Sequence, residues 1–255
     1  RDEPRYAEAS RTMVLTGDLV VPVHNEVPRL LKPPAIYWFQ ALSFELFGVS
    51  EFAARLPSAL FVALTVWLLF RFVLWGTGRR RAAWLAAASF ALSLMTLYQA
   101  SAATIDGSLV FFITLAMTTW FRLSDAPRPD RPPRWNWLIF YAAFGVSVLL
   151  KGPMIVAVWG GAIVLYLLWR WPASLDLRPR FRLTRSPDSP WMHFAGVGLV
   201  GLLVLPWLVT IERQLSGAFL ERFVGTEIIA RALEPAQGHA GPPAYYLIAL
   251  PVFFF

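Results

Sequence analysis

The sequence predicts an all-α polytopic membrane protein, and three observations carry that expectation. Of 255 residues, 57% are apolar, and the mean hydropathy is +0.53, where a soluble domain runs near 45–50% apolar. Only 15% are charged, against about 25% in soluble domains. The apolar residues fall in long runs of about twenty, the length a helix rising about 1.5 Å per residue needs to cross about 30 Å of hydrocarbon. These features exclude a soluble globule, a disordered chain and a fibrous repeat.

The elements follow in order. Within residues 1–55, Pro4–Leu15 reads as a short amphipathic helix. Ala35–Leu46 reads as a second one, whose Tyr37, Trp38 and Phe39, with Phe47 beyond, suit the membrane interface. Six spans are expected at Leu56–Trp75, Ala82–Tyr98, Thr104–Phe121, Trp135–Leu150, Gly152–Trp169 and Trp191–Ile211, and Tyr245–Phe255 starts a seventh. The organisation expected is thus a first loop at 1–55, six spans over 56–211, a second long loop at 212–244 and a further span from 245. Because the sequence opens at Arg1 without a methionine and stops inside an apolar run, it reads as an internal piece of a longer protein.

Charge placement sets the expected topology. The segments near 76–81, 122–134 and 170–190, with Arg71, hold 13 of the 23 basic residues against four acids. By the positive-inside rule they face the cytoplasm. The rest of the chain has 10 basic and 12 acidic residues, so the net charge of +7 reports topology rather than a nucleic-acid partner. Alternation puts 1–55 and 212–244 together on the extracytoplasmic side. Cysteine is absent, which removes disulfides, thiolate nucleophiles and Cys-bound metal.

Once topology is applied, the groups able to do chemistry converge on that outer face: Asp2, Glu3, Lys32, Asp106, Lys151, Glu227, Arg231 and His239. Asp2 reads as a helix cap or as a general base, and the two roles are compatible. The chain has only two lysines, in Leu31-Lys32-Pro33-Pro34 and Leu150-Lys151-Gly152-Pro153. Each alone reads as a snorkelling anchor. Two ammonium groups on rigid turns at one face suit a phosphate or pyrophosphate at headgroup level. Asp106 interrupts an apolar stretch at the outer end of its span, a functional position whose alternative is a helix cap. Glu227 and Arg231, four apart, also read as a helix-surface ion pair, and His239 as a solvated loop residue. His24 and His193 have no partner at metal spacing. Nucleotide-phosphate, dinucleotide, zinc-protease and hydrolase signatures are all missing.

Asp2, Glu3, Arg5, Tyr6, Ala7, Glu8 and Arg11, in D-E-x-R-Y-A-E-x-x-R spacing, lead to Gly17-Asp18, Lys32-Pro33, Tyr37-Trp38 and Phe47–Arg55. With Asp106, the Lys151-Gly152 turn, Glu227, Arg231, and the His239 loop before Tyr245-Tyr246, this pattern resembles the N-terminal half of the bacterial aminoarabinose lipid A transferase and protein O-mannosyltransferase superfamily, integral-membrane GT-C glycosyltransferases. The resemblance spans essentially the whole chain. It implies a GT-C-like fold with extracytoplasmic juxtamembrane helices, in the bacterial inner membrane. It further implies transfer of a sugar from a polyprenyl-phosphate carrier, typically undecaprenyl phosphate, to a lipid, glycan or protein acceptor at the outer face.

The resemblance also implies roles. Asp2 corresponds to the catalytic base, and Lys32 and Lys151, grouped with Arg5, to the contacts with the carrier phosphate. Glu3, Tyr6, Tyr37, Asp106, Glu227, Arg231, His239 and Tyr245 are supporting residues. No cofactor is required by these motifs; a divalent metal is the one candidate, with His239 as its ligand. Leu31 stands where metal-binding members often have an acid before the K-P lysine, and Glu227-Ile228 where they have an E-H pair. Both departures weigh against a metal site and against the aminoarabinose branch in particular. A transporter or flippase of a polyprenyl-linked substrate is the alternative from another class, disfavoured because the spans have almost no charge at mid-membrane depth. A scaffold subunit is a third reading, one that gives Asp106 and the two lysines no purpose.

Overall fold

Capping residues set both ends of one long helix of this chain and the start of another. In a computed structural model, residues 3–125, 133, 135–152, 154–170, 190–223 and 225 are described. The helices are α1 (Glu3–Thr16), α2 (Ala35–Phe47), α3 (Glu51–Thr77), α4 (Arg80–Leu92), α5 (Leu94–Ser101), α6 (Ile105–Asp125), α7 (Asn136–Lys151), α8 (Met154–Arg170), α9 (Pro190–Gln214) and α10 (Ala218–Arg222). Ser50 starts α3 by accepting from the Ala53 N–H at 3.2 Å, and Gly78, at φ 66°, closes it with its N–H on the Leu74 carbonyl at 2.8 Å. Two strands, β1 (Val23–His24) and β2 (Val27–Pro28), form an antiparallel hairpin between α1 and α2. Its two turn residues, Asn25 and Glu26, both have positive φ, the backbone of a tight two-residue hairpin turn.

One expectation is corrected. The span expected at Ala82–Tyr98 is two helices, α4 and α5, bent by 62° at Ser93. Ser93 leaves the helical conformation (ψ 138°), and its Oγ accepts from the Thr96 N–H at 3.3 Å, capping a new helix inside an apolar run. Helix α2, expected at the membrane interface, packs between α1 and α3 and leaves Leu42, Leu46 and Phe47 exposed. Its Ile36, Tyr37 and Gln40 are completely buried.

Among the described residues, α3 and the stretch of α9 from Trp191 are each long and apolar enough to cross a membrane, as is the bent α4–α5 pair if counted as one span. Helices α7 and α8 are apolar but shorter, and α6 carries Asp106 and Arg122 near its two ends. Helix α6 packs along α7, α7 along α9, and α3 along α4 and α6. The main core joins α1, α2, the start of α6, the end of α7, the second half of α9 and α10, through Tyr6, Tyr37, Ile105, Leu150, Trp207 and Phe219.

The bundle therefore has two distinct ends. At one, α6 begins, α7 finishes and residues 3–55 are packed; the Trp207 indole N–H reaches across to the Val20 carbonyl at 3.0 Å. At the other, α3 and α6 finish together, with Trp75 and Phe121 edge to face and the Arg122 guanidinium 5.2 Å from the Trp75 ring centre.

Candidate functional site

The site is built around residues 102–106, the link between α5 and α6 and the first residues of α6. Three elements clamp it. The Ala103 N–H donates to Glu3 Oε1 at 3.1 Å, from the first turn of α1. Gln40 of α2, fully buried, donates from Nε2 to the Ala103 carbonyl at 3.4 Å and the Ala54 carbonyl at 3.2 Å, while its Oε1 accepts from Ser10 Oγ at 2.7 Å. Ser58 Oγ of α3 donates to the Thr104 carbonyl at 3.0 Å. A link in apolar surroundings has to satisfy its peptide groups with partners, and these side chains supply them.

Glu3 is also bound by Arg55, whose Nε lies 2.6 Å from Oε1. The Arg55 hydrogen bond, helped by the Ala103 N–H, holds the Glu3 carboxyl below the usual carboxylate range, outweighing burial, which pushes it up. Gly107 permits the close approach of α6 to this clamp, since a Cβ there would sit 3.3 Å from the Gln99 and Ser58 carbonyl oxygens.

Asp106 follows directly, in the first turn of α6, and accepts from Lys151 Nζ at 3.0 Å. The pair is partly exposed, at 40% for Asp106 and 27% for Lys151. One of the three ammonium donors is committed to the carboxylate, and the others have no acceptor among the described residues and can serve a ligand. Gly152 then turns the chain at φ 76° and ψ −161°, a region open essentially only to glycine. A Cβ at Gly152 would sit 2.8 Å from Phe223 Cζ and 3.9 Å from Pro33 Cγ. The Lys32-Pro33 turn thus packs against the Lys151-Gly152 turn, although 119 positions separate them in sequence.

Tyr6 and Tyr37 meet with ring centres 5.8 Å apart, both buried. Arg29 joins them, its Nε donating to the Tyr37 hydroxyl at 3.1 Å and its guanidinium 4.9 Å from the Tyr6 ring centre. Arg5 is exposed in the first turns of α1, and Lys32 lies in the turn before α2, partly buried. Asp2, Glu227, Arg231, His239 and Tyr245 lie outside the described residues. His193 is at the opposite end, its Nδ1 3.0 Å from the Tyr141 hydroxyl. Among the described residues no three His, Asp or Glu side chains converge as a metal site would require; His239, the candidate ligand, lies outside them.

The sequence reading assigned no role to Gln40, Arg55 or Arg29. Gln40 had a signal, a lone amide in an apolar helix, which has to find partners once buried. Arg55 stood in a quoted motif without a function. Arg29 had none.

A bundle of apolar helices with juxtamembrane helices packed over one polar end is the GT-C type of membrane protein. The match to the dolichyl-phosphate-mannose-protein mannosyltransferase family covers residues 2–217, and the chain belongs to that family. It is 30% identical over 249 residues to the undecaprenyl phosphate-α-4-amino-4-deoxy-L-arabinose arabinosyl transferase of Erwinia tasmaniensis, covering 96% of this chain and 42% of that protein. Among solved structures it resembles ArnT from Cupriavidus metallidurans in the apo state, with a TM-score of 0.78 and 26% identity over 100% of this chain and 43% of that one. The same protein bound to undecaprenyl phosphate gives a TM-score of 0.76 and 24% identity, covering 100% of this chain and 44% of that one. The chain spans less than half the length of these relatives.

Proposed function

We propose that the full-length protein is a glycosyltransferase of the bacterial inner membrane, moving a sugar from a polyprenyl-phosphate donor to a lipid, glycan or protein acceptor at the extracytoplasmic face. The observation that carries this reading is the meeting of the two lysine turns, Pro33 against Gly152, beside the Asp106–Lys151 pair at one end of the bundle. Family membership supports it, as does the named donor of the Erwinia tasmaniensis relative. The division into a first loop at 1–55, six spans over 56–211 and a loop at 212–244 belongs to the same proposal, with the clamped end outward.

The chemistry follows from these groups. Asp2 takes the proton of the acceptor nucleophile, which attacks the anomeric carbon directly. The C–O bond to the carrier breaks, and the leaving polyprenyl phosphate takes the electron pair. Lys32 and Lys151 stabilise that charge. Asp106 is a positioning residue, orienting the Lys151 ammonium from the start of α6.

The test is release of labelled sugar from a polyprenyl-phosphate donor by the full-length protein in detergent. Asp2→Asn is expected to lower transfer by about 10²–10⁴-fold with donor binding retained, and Lys32→Ala to weaken both. Donor binding without turnover in the wild type, across sugars and acceptors, would move the assignment to a flippase.

A further inference from the structure

At the aromatic end of the bundle the Arg122 guanidinium is taken up by Trp75, but three arginines that follow Trp75 in the chain are not. Arg79, Arg80 and Arg81 come directly after the Gly78 cap of α3 and open α4, all three exposed. Among the described residues none of their side chains forms an ion pair or a hydrogen bond. The sequence has no acid between Glu51 and Asp106, which belongs to the clamped end, and Asp125 is the one acid that the described helices bring to this end.

Depth places these charges. Helix α3 has 27 residues, about 40 Å at about 1.5 Å per residue, enough to cover roughly 30 Å of hydrocarbon and reach the headgroups beyond. Its start belongs to the clamped end through Arg55, so the Gly78 turn stands among the headgroups of the other leaflet. From that turn α4 runs back along α3, with Trp84 on Phe70 at 4.9 Å and with Ala83 and Ala87 buried. Its other face is one exposed stripe headed by Arg81, in which Trp84 is 64% exposed, Leu85 69% and Leu92 72%. From Arg81 to Leu92 the stripe runs about 16 Å along the helix axis, close to half the hydrocarbon thickness and so to the depth of one leaflet. It ends where the chain bends by 62° at Ser93. Topology alone asks for positive charge in such a turn, but not that the charge head an apolar stripe one leaflet deep.

We propose that the start of α4 holds an anionic phospholipid of this leaflet, with its phosphate on Arg79, Arg80 and Arg81 and an acyl chain along Trp84, Leu85 and Leu92. Guanidinium groups grip phosphate oxygens in pairs, and an anionic headgroup supplies the counter-charge that the three arginines lack. Hydrocarbon covers the stripe, which a soluble anion would leave bare. The proposal does not rest on the transfer reaction and concerns the opposite end of the molecule.

The experiment titrates the full-length protein in detergent with dioleoyl-phosphatidylglycerol or dioleoyl-phosphatidylcholine, which share their acyl chains, and counts bound lipid by native mass spectrometry. The wild type should hold the anionic lipid at least about fivefold more tightly. Arg80→Gln combined with Arg81→Gln should bring that ratio to within about twofold of one. Arg11→Gln combined with Arg213→Gln, which removes two exposed charges from the clamped end, should leave it unchanged. Trp84→Ala should weaken both lipids alike, since it touches the chain and not the headgroup. Phosphatidylglycerol should also raise the midpoint of thermal unfolding in the wild type but not in the Arg80, Arg81 double variant, and sodium phosphate should raise it in neither. Equal retention of the two lipids, a ratio that survives the double substitution, or one that falls as far in the clamped-end control overturns the proposal. Trp84→Ala leaving both lipids unaffected, or sodium phosphate reproducing the thermal shift, overturns it as well.

Discussion

Where α6 begins and α7 ends, neighbouring elements meet through hydrogen bonds and ion pairs: Glu3 with Arg55 and Ala103, Gln40 with Ser10 and two carbonyls, Asp106 with Lys151. Where α3 and α6 finish, they meet through rings. Phe121 packs edge to face on Trp75 at 6.3 Å and on Tyr166 at 6.0 Å, and Trp120 meets Tyr166 at 5.1 Å. Aromatic contacts tolerate small shifts, whereas a hydrogen bond fixes donor and acceptor within a few tenths of an ångström. The first end specifies positions and the second supplies adhesion. A polar clamp in apolar surroundings costs desolvation, and it is found where two charged side chains have to be held in place.

Substitutions sharpen this contrast in decreasing order of effect. Gly152→Val should be the most damaging, because it forces a β-branched residue into glycine-only backbone and drives a side chain into Phe223. The strained backbone alone costs about 1–3 kcal/mol, and overpacking adds to it. The midpoint of thermal unfolding in detergent should fall by several degrees, with donor binding lost alongside.

Gln40→Leu is next. It keeps the volume but strips the Ala54 and Ala103 carbonyls and Ser10 Oγ of a buried partner, at about 1–3 kcal/mol. Amide exchange should rise first at residues 102–106, a local loosening that uniform destabilisation would not give.

The smallest effect belongs to Glu3→Gln, and it depends on pH. A carboxyl held below its usual value contributes stability above its unfolded value, near 4.3. That contribution disappears as pH falls through the lower, folded value. Near pH 7 the wild type should exceed Glu3→Gln by no more than about 1 kcal/mol, the upper end for an exposed pair. The gap should close below about pH 4. A gap that does not change with pH would remove Arg55 and Ala103 as its cause.

Much of the fold was legible from the sequence because a helix that buries its side chains in lipid must be apolar along its length. The runs at Leu56–Trp75 and Trp191–Ile211 lie inside α3 and α9. Hydropathy does not register a hydroxyl that caps a helix, so Ser93 and the break after α4 went unread. The hairpin was invisible for another reason: strands of two residues have no period to detect. At the site, Lys32, Asp106 and Lys151 could be singled out because a charge beside apolar sequence is conspicuous. Their mutual arrangement could not. Only the folded chain brings Pro33 onto Gly152, or shows that Lys151 answers Asp106 while Ala103 answers Glu3 and Gln40.

The most direct test of the division of labour between the two ends is the transfer rate of the full-length protein with one cation removed from each. Lys151→Ala takes the ammonium from Asp106, and Arg122→Gln takes the guanidinium from Trp75. Transfer should fall at least about tenfold in the first, the loss of roughly 1.4 kcal/mol or more of charge stabilisation. It should stay within about twofold in the second, where among the described residues a cation–π contact is lost. Equal losses in the two variants, or the larger loss at Arg122, would contradict the placement of the reaction at the clamped end.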